Sequence, residues 1–458
     1  MRPEITHPRY NRNFIASALL IGGLTLGVVG LGIPTSAEEV EIVPPAPMSI
    51  GILNPVEQIG EIDAATVTAI VNEELTDFRL GAGVTGYVID ANSKRVLVDI
   101  NSDQPMIPAS TLKLYTAIAA IDMLGAQTRF ATKVMRDQTQ LTLVGGGDPT
   151  LVSLTAQDWR GKPPGTPPPP SIQELADKTV AAIGPTTQIF TVAFDDSLFT
   201  GPQAQETWPS MYLSTGEVAP AQGLTMDYGV TQTDGTLPDP AKAAAQFYVA
   251  ELTSRGLQVT LTGRAPPSLE ASELTRIESA TVTDIVERMI TTSNNTLAEY
   301  LAHHVGGTQG DYSFSGGAKV TKQALVAAGI ETTNLEIIDG SGLSRSNRST
   351  AKDLVSALQY ANNSKGAAWA ALTGLPVAGI SGTLMDRYDV AQPGRGTVRA
   401  KTGTLSKVVA LTGTLVTASG EVLMFTFIAN EVPNGTRQGE AALDDVIKAL
   451  AQCGCRVA

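Results

Sequence analysis

The alternation of apolar and polar positions picks out the first elements. "GVTGYVIDA" and "RVLVDI" alternate around the turn "NSK", the two-residue period of a strand, and predict a β-hairpin. "PASTLKLYTAIAA", residues 108–120, changes to a mostly apolar run and predicts a buried helix that begins near Ser110, with Lys113 placed among residues that belong in a core. Near the other end, "VVALTGTLVTASGEVLMFTFIAN" holds two strand-like runs joined at "ASG", followed by a helical stretch from about Arg437 to Leu450. Strands at both ends with helices between them predict one sheet assembled from the two ends of the chain.

The middle follows a different pattern. "GKPPGTPPPP" at 161–170 is a stiff proline-rich excursion, and around it short strands such as "QIFTVAFDD" mix with turn residues, so 131–279 reads as an insertion. "LVGGGDPT" reads as a turn, because no Gly-Lys-Ser/Thr follows it and no βαβ unit surrounds it. No repeat of fixed period is visible.

Charge and composition narrow the class. The 458 residues are 43% hydrophobic and 17% charged, enough for a sizeable core, and the net charge of −13 without a Lys/Arg run excludes a nucleic-acid partner. Arg2, Arg9 and Arg12 precede the charge-free segment Phe14 to Ile33, which matches the about 20 residues needed to cross a bilayer. Residues 1–37 therefore read as an export segment, cleaved after "TSA" or kept as a membrane anchor, and 38–54 as an acidic, proline-rich linker. The body is expected outside the cytoplasmic membrane. Cys453 and Cys455, in "CGC", allow a tight local disulfide or two free thiols and neither a disulfide framework nor a zinc cluster.

The candidate chemistry starts at Ser110. A serine needs a base to become nucleophilic, and the chain has three histidines: His7 ahead of the export segment, and His303 and His304 in the apolar helical stretch "LAEYLAHHV". A Ser-His-Asp triad is therefore not expected. Lys113 lies three positions from Ser110, on the same helical face and within reach of a proton transfer. To act as a base it must be neutral, which requires burial, a neighbouring cation, or both. A like charge about 4 Å away costs roughly 4 kcal/mol at an effective dielectric of 20, or about 3 pK units.

Two further stretches complete a pattern. "TTSNNTLAEY" supplies Ser293-x-Asn295 at a break between two helical runs, and "RAKTGTLSK" supplies Lys401-Thr402-Gly403 at the start of a strand. Ser-x-x-Lys, Ser-x-Asn and Lys-Thr-Gly, in that order, are the triple signature of penicillin-binding proteins and serine β-lactamases. With "LVGGGDPTL", "DGSGLSR" (339–345), "LPVAGISGTLMDR" (375–387) and "AKTGTL", the chain resembles the low-molecular-mass class C penicillin-binding proteins, the D-alanyl-D-alanine carboxypeptidase/endopeptidase family, over roughly residues 60–450. That family carries an insertion between its first two motifs, as the spacing here allows. The insertion looks short for two full extra domains, and Asn294 stands where an Asp is commoner, at a position that is usually structural.

The resemblance implies an α/β penicillin-binding domain, a central antiparallel sheet flanked by helices, formed by residues 55–130 and 280–458 around an inserted 131–279. It implies that Ser110 attacks the carbonyl of the penultimate D-alanine, with Lys113 as its base. Ser293 would pass a proton toward the leaving nitrogen and Asn295 would bond the substrate amide. Lys401 would supply the second cation and, with Thr402 and Thr404, bind the terminal carboxylate. Gly403 would let the strand approach the substrate, and the Ser110 and Thr404 N–H groups would form an oxyanion hole. The implied partners are peptidoglycan stem peptides ending in D-Ala-D-Ala, and β-lactams as covalent inhibitors; no metal or cofactor is implied. A serine β-lactamase shares the acylation machinery, and a catalytically silent peptidoglycan-binding protein would share the fold.

Overall fold

In chain order, helix α1 (Ala64–Glu74) precedes the hairpin β1 (Gly83–Asp90) and β2 (Val96–Ile100), and then helix α2 (Lys113–Leu124). The middle holds β3 (Ala131–Asp137), β4 (Gln140–Val144), α3 (Ile172–Ile183), β5 (Ile189–Asp195), α4 (Met211–Ser214), α5 (Pro240–Ser254), β6 (Gln258–Arg264) and β7 (Ser272–Glu278). Helices α6 (Val282–Thr292), α7 (Asn295–Gly307), α8 (Phe314–Ala327), α9 (Ala351–Asn363) and α10 (Ala370–Thr373) follow. The strands β8 (Arg399–Leu405), β9 (Val408–Val416) and β10 (Val422–Asn430) and helix α11 (Thr436–Gln452) close the chain. The computed structural model describes residues 61–153, 169–230, 235–364, 366–433 and 435–456, all within the unit Leu53–Ala458. Residues 1–37, read above as an export segment, the stretch 38–54 read as a linker, His7 and most of the proline-rich run lie outside the described residues.

The first sheet has the order β2-β1-β10-β9-β8, antiparallel throughout. β1 pairs with β10, Gly83 opposite Asn430 and Asp90 opposite Leu423, so the hairpin and the last strands join as the apolar pattern predicts. β9 and β10 are buried at every position but the last, because helices cover both faces. Leu423, Phe425, Phe427 and Ala429 pack with residues of α1 and α11; Met424 and Ile428 face α2, α6, α7 and α9. Each of the Leu, Phe, Met and Ile side chains among them stabilises the fold by about 1.5–3 kcal/mol relative to exposure. α11 buries Ala442, Leu443, Val446, Ile447 and Leu450, the stripe of a helix lying on a sheet.

The second sheet, β6-β5-β4-β3-β7, is built wholly from residues 131–278. The β4–β5 and β5–β6 pairs are parallel, and the β3–β4 and β3–β7 pairs antiparallel. α3 and α5 pack against it through Leu175, Ala176, Ala244 and Tyr248.

Three local details differ from or refine the sequence reading. Ser110 sits in a turn of 3-10 helix, Ala109–Leu112, and the α-helix itself starts at Lys113. Ser293 ends α6 in the left-handed conformation (φ 56°), and the Asn294 side chain caps α7 by accepting the Leu297 N–H at 2.9 Å. An Asp would cap equally well, which explains why Asn is tolerated there. Cys453 and Cys455 are bonded to each other. Among the described residues no helix is long and apolar enough to cross a membrane.

Candidate active site

The three motifs converge on one cleft of about 720 Å³. Ser110, Ser293, Asn295, Thr402 and Thr404 all line it, and Tyr212, Glu217 and Arg345 form part of its far wall. β8 is the sheet's edge strand; its free side, the Ser110 turn and the α6–α7 junction make the floor.

Ser110 is held by backbone contacts from two distant segments. Ala109, just before it, has φ +48°, a conformation that non-glycine residues adopt only when their surroundings impose it. Gly342, at φ +85°, lies so close that a Cβ there would collide with the Ala109 carbonyl oxygen. On the other side, a Cβ at Gly403 would come 2.7 Å from the Pro108 carbonyl oxygen. The missing side chain of Gly403 thus admits the chain's own Pro108–Ala109 turn against β8.

Lys113 is fully buried, and its Nζ donates to Ser110 Oγ at 2.9 Å, Asn295 Oδ1 at 2.7 Å and the Ser341 carbonyl at 2.6 Å. Burial holds its pKa down to about 7, against an opposing pull from Glu299, Asp339 and Glu217. Lys401 is also fully buried; its Nζ donates to Ser293 Oγ and to the Thr402 carbonyl, each at 2.8 Å. Its pKa falls well below the ordinary lysine value, first through burial and then through repulsion by Lys113. Burial is the first cause of both shifts, and the charge of Lys113 adds to the shift of Lys401.

The remaining motif residues are already engaged. Asn295 Nδ2 donates to the Glu217 carbonyl at 2.8 Å, so both ends of its amide have protein partners. The Thr402 hydroxyl lies 3.0 Å from that of Thr383, and the Thr404 hydroxyl donates to Glu440 at 2.5 Å. His303 and His304 sit in an aromatic cluster beneath the cleft, with His304 stacked on Phe130 at 3.8 Å between ring centroids. Burial pushes both down to about 4, as for neutral core side chains. Among the described residues no group of His, Cys, Asp and Glu could hold a metal ion.

Sequence reasoning did not single out Ser341, Gly342, Glu299 or Thr383. The first two lie in "DGSGLSR" and Thr383 in "LPVAGISGTLMDR", stretches that were noticed for their likeness and not for their chemistry. Glu299 carried a usable signal: with Asn295 and His303 it recurs every four residues on one face of α7.

The chain has known relatives. A model of the D-Ala-D-Ala carboxypeptidase 3 (S13) family matches residues 67–237 and 236–453. A carboxypeptidase of Mycobacterium tuberculosis is 32% identical over 433 residues, 90% of this chain and 90% of its own length. A D-alanyl-D-alanine carboxypeptidase of an Actinomadura species is 27% identical over 495 residues, 88% of each chain. Among solved structures, penicillin binding protein 4 of Haemophilus influenzae has the same fold, with a TM-score of 0.67 at 20% identity over 85% of this chain and 100% of that one. On a match that spans both halves of the catalytic cleft, the chain belongs to the D-Ala-D-Ala carboxypeptidase 3 (S13) family of serine peptidases.

Proposed function

We propose that the protein is a serine D-alanyl-D-alanine carboxypeptidase/endopeptidase that works on peptidoglycan stem peptides and is acylated by penicillins. The observation that carries this reading is the pair of hydrogen bonds that place a fully buried, pKa-lowered Lys113 on Ser110 Oγ and on Asn295 Oδ1, beside Lys401 on Ser293 Oγ.

In this mechanism neutral Lys113 takes the proton of Ser110 as Oγ attacks the carbonyl carbon of the penultimate D-alanine. The C–N bond to the last D-alanine breaks, and Ser293, bonded to Lys401, relays to the departing nitrogen the proton that Lys113 took, which returns Lys113 to its neutral form. Water then hydrolyses the ester on Ser110. The N–H groups of Ser110 and Thr404 act as the oxyanion donors, worth a factor of about 10² to 10³ per donor at comparable sites. Lys401, Thr402 and Thr404 face the substrate's terminal carboxylate, and Asn295 orients Lys113 as well as the substrate amide.

Residues 55–130 and 280–458 form the catalytic domain in this reading, and 131–279 an inserted region whose 209–217 segment walls the cleft. Residues 1–37 direct the chain to the cell envelope, as a cleaved signal or an anchor.

Labelled penicillin tests the reading: it should attach to Ser110 and not to a Ser110→Ala variant that keeps the wild-type melting temperature. A persistent adduct on another residue overturns the assignment. Rapid turnover of the penicillin adduct would favour a β-lactamase instead. Amidating the C-terminus of a D-Ala-D-Ala peptide should lower kcat/KM about 10- to 150-fold, the loss of one charge-assisted hydrogen bond, and Thr402→Val should erase much of that preference.

A further inference from the structure

Behind Lys113, on the side away from the cleft, lies a carboxylate that the mechanism above does not use. Glu299 is 1% exposed, and it points into the loop that carries Ser341. Its two oxygens accept the N–H groups of Gly340, at 3.0 Å, and Ser341, at 2.8 Å. The Gly340 carbonyl takes the Thr116 hydroxyl at 2.6 Å, and the Ser341 carbonyl takes Lys113 Nζ. The next residue, Gly342, presses on Ala109, and its N–H is held by Asp339 at 2.8 Å.

We infer that Glu299 is a positioning residue for Lys113: by clamping the Gly340 and Ser341 N–H groups it aims the Ser341 carbonyl at Nζ and so holds the base against Ser110. The inference rests on the functional reading above. A carboxylate suits the task because it offers two acceptors to two adjacent N–H groups, a fit that an amide side chain cannot match with one oxygen. A merely structural buried residue at this place would be apolar, since a buried carboxylate is costly unless its lone pairs are used.

Its charge adds a second effect. Glu299 pulls the Lys113 pKa upward, so the anion favours the protonated amine and opposes the effect of burial. Burial and the neighbouring Asp339 in turn push Glu299 itself up. The charged and titratable groups around this pair are Lys113 from α2, Asp339 from the loop, Glu217 from the cleft wall, Lys401 from β8 and His303 one turn along α7.

Two variants and one assay test this. Single-turnover acylation by a chromogenic cephalosporin is followed from pH 5 to 9, per active site titrated with labelled penicillin. Glu299→Gln removes the charge and sets an NH₂ group against a backbone N–H. Its plateau rate should fall at least about tenfold, and the acid limb of its profile should move to lower pH by about half a unit or more. Glu299→Asp keeps the charge and withdraws the carboxylate by one methylene, so its plateau rate should fall while the limb stays in place; it also serves if the glutamine variant does not fold. Unchanged rate per active site in the variants, with only a lower melting temperature or a smaller active fraction, overturns the inference. Failure of the wild type to acylate on Ser110 would instead overturn the functional reading.

Discussion

Replacing Lys401 by methionine separates two accounts of how the base is tuned. Lys113 stands at about 7 against an ordinary 10.5, so its neutral form dominates above neutrality and falls about tenfold for each pH unit below. The acylation rate of the wild type should therefore climb from roughly 1% of its plateau at pH 5 to half of it near pH 7. If a charged Lys401 caused the shift, its removal would relieve roughly 4 kcal/mol of repulsion at about 4 Å, and the limb would climb by up to about 3 units. The structure argues otherwise: burial is what holds Lys113 down, and the charges that act on it, from Glu299, Asp339 and Glu217, all pull it up. Lys401→Met should lower the plateau, because Ser293 loses its partner, and leave the limb near 7. The assay is stopped-flow acylation of wild type and variant over pH 5 to 9, with the apparent pKa assigned to the coupled site. An upward movement of the limb by more than about one unit would refute the reasoning, and would make Lys401 the cation that sets the base.

Two other variants probe the scaffold of the site. Asn294→Ala removes the cap of α7 and should cost about 1 kcal/mol by denaturant titration, while Asn294→Asp should hold wild-type stability; equal loss in both would show that the cap does not set the effect. Gly342→Ala places a methyl group at φ +85° against the Ala109 carbonyl, so it should lower both the melting temperature and the acylation rate; a variant with wild-type kinetics would show that the Ser110 turn is not braced there.

The hairpin, the buried helix and the paired C-terminal strands were legible because each carries its own period, and because covering both faces of β9 and β10 demands unbroken apolar runs. The insertion was visible only as a change of texture. Its parallel pairing of β4, β5 and β6 depends on crossovers that leave no local mark. The three motifs named Ser110, Lys113, Ser293, Asn295 and Lys401 because their chemistry is unusual for their settings. What the sequence could not convey is which partner each atom finds across large separations: that Lys113 meets the Ser341 carbonyl, that Thr404 turns to Glu440, or that Gly403 faces Pro108. Those contacts follow from tertiary packing and not from spacing. The burial of each amine is likewise a property of the packing and cannot be read one residue at a time.

The pairing of β1 with β10 carries a consequence for when the enzyme becomes dangerous. The nucleophile turn is emitted early in synthesis, but its brace at Gly342 and its strand wall at β8 arrive much later, and the sheet is complete only when residues 422–430 dock beside the first hairpin. Long sequence separation makes that closure a late event in folding. No growing or truncated chain that stops short of the final strands can own an assembled cleft, so the protein is latent by its topology until its last strands are in place.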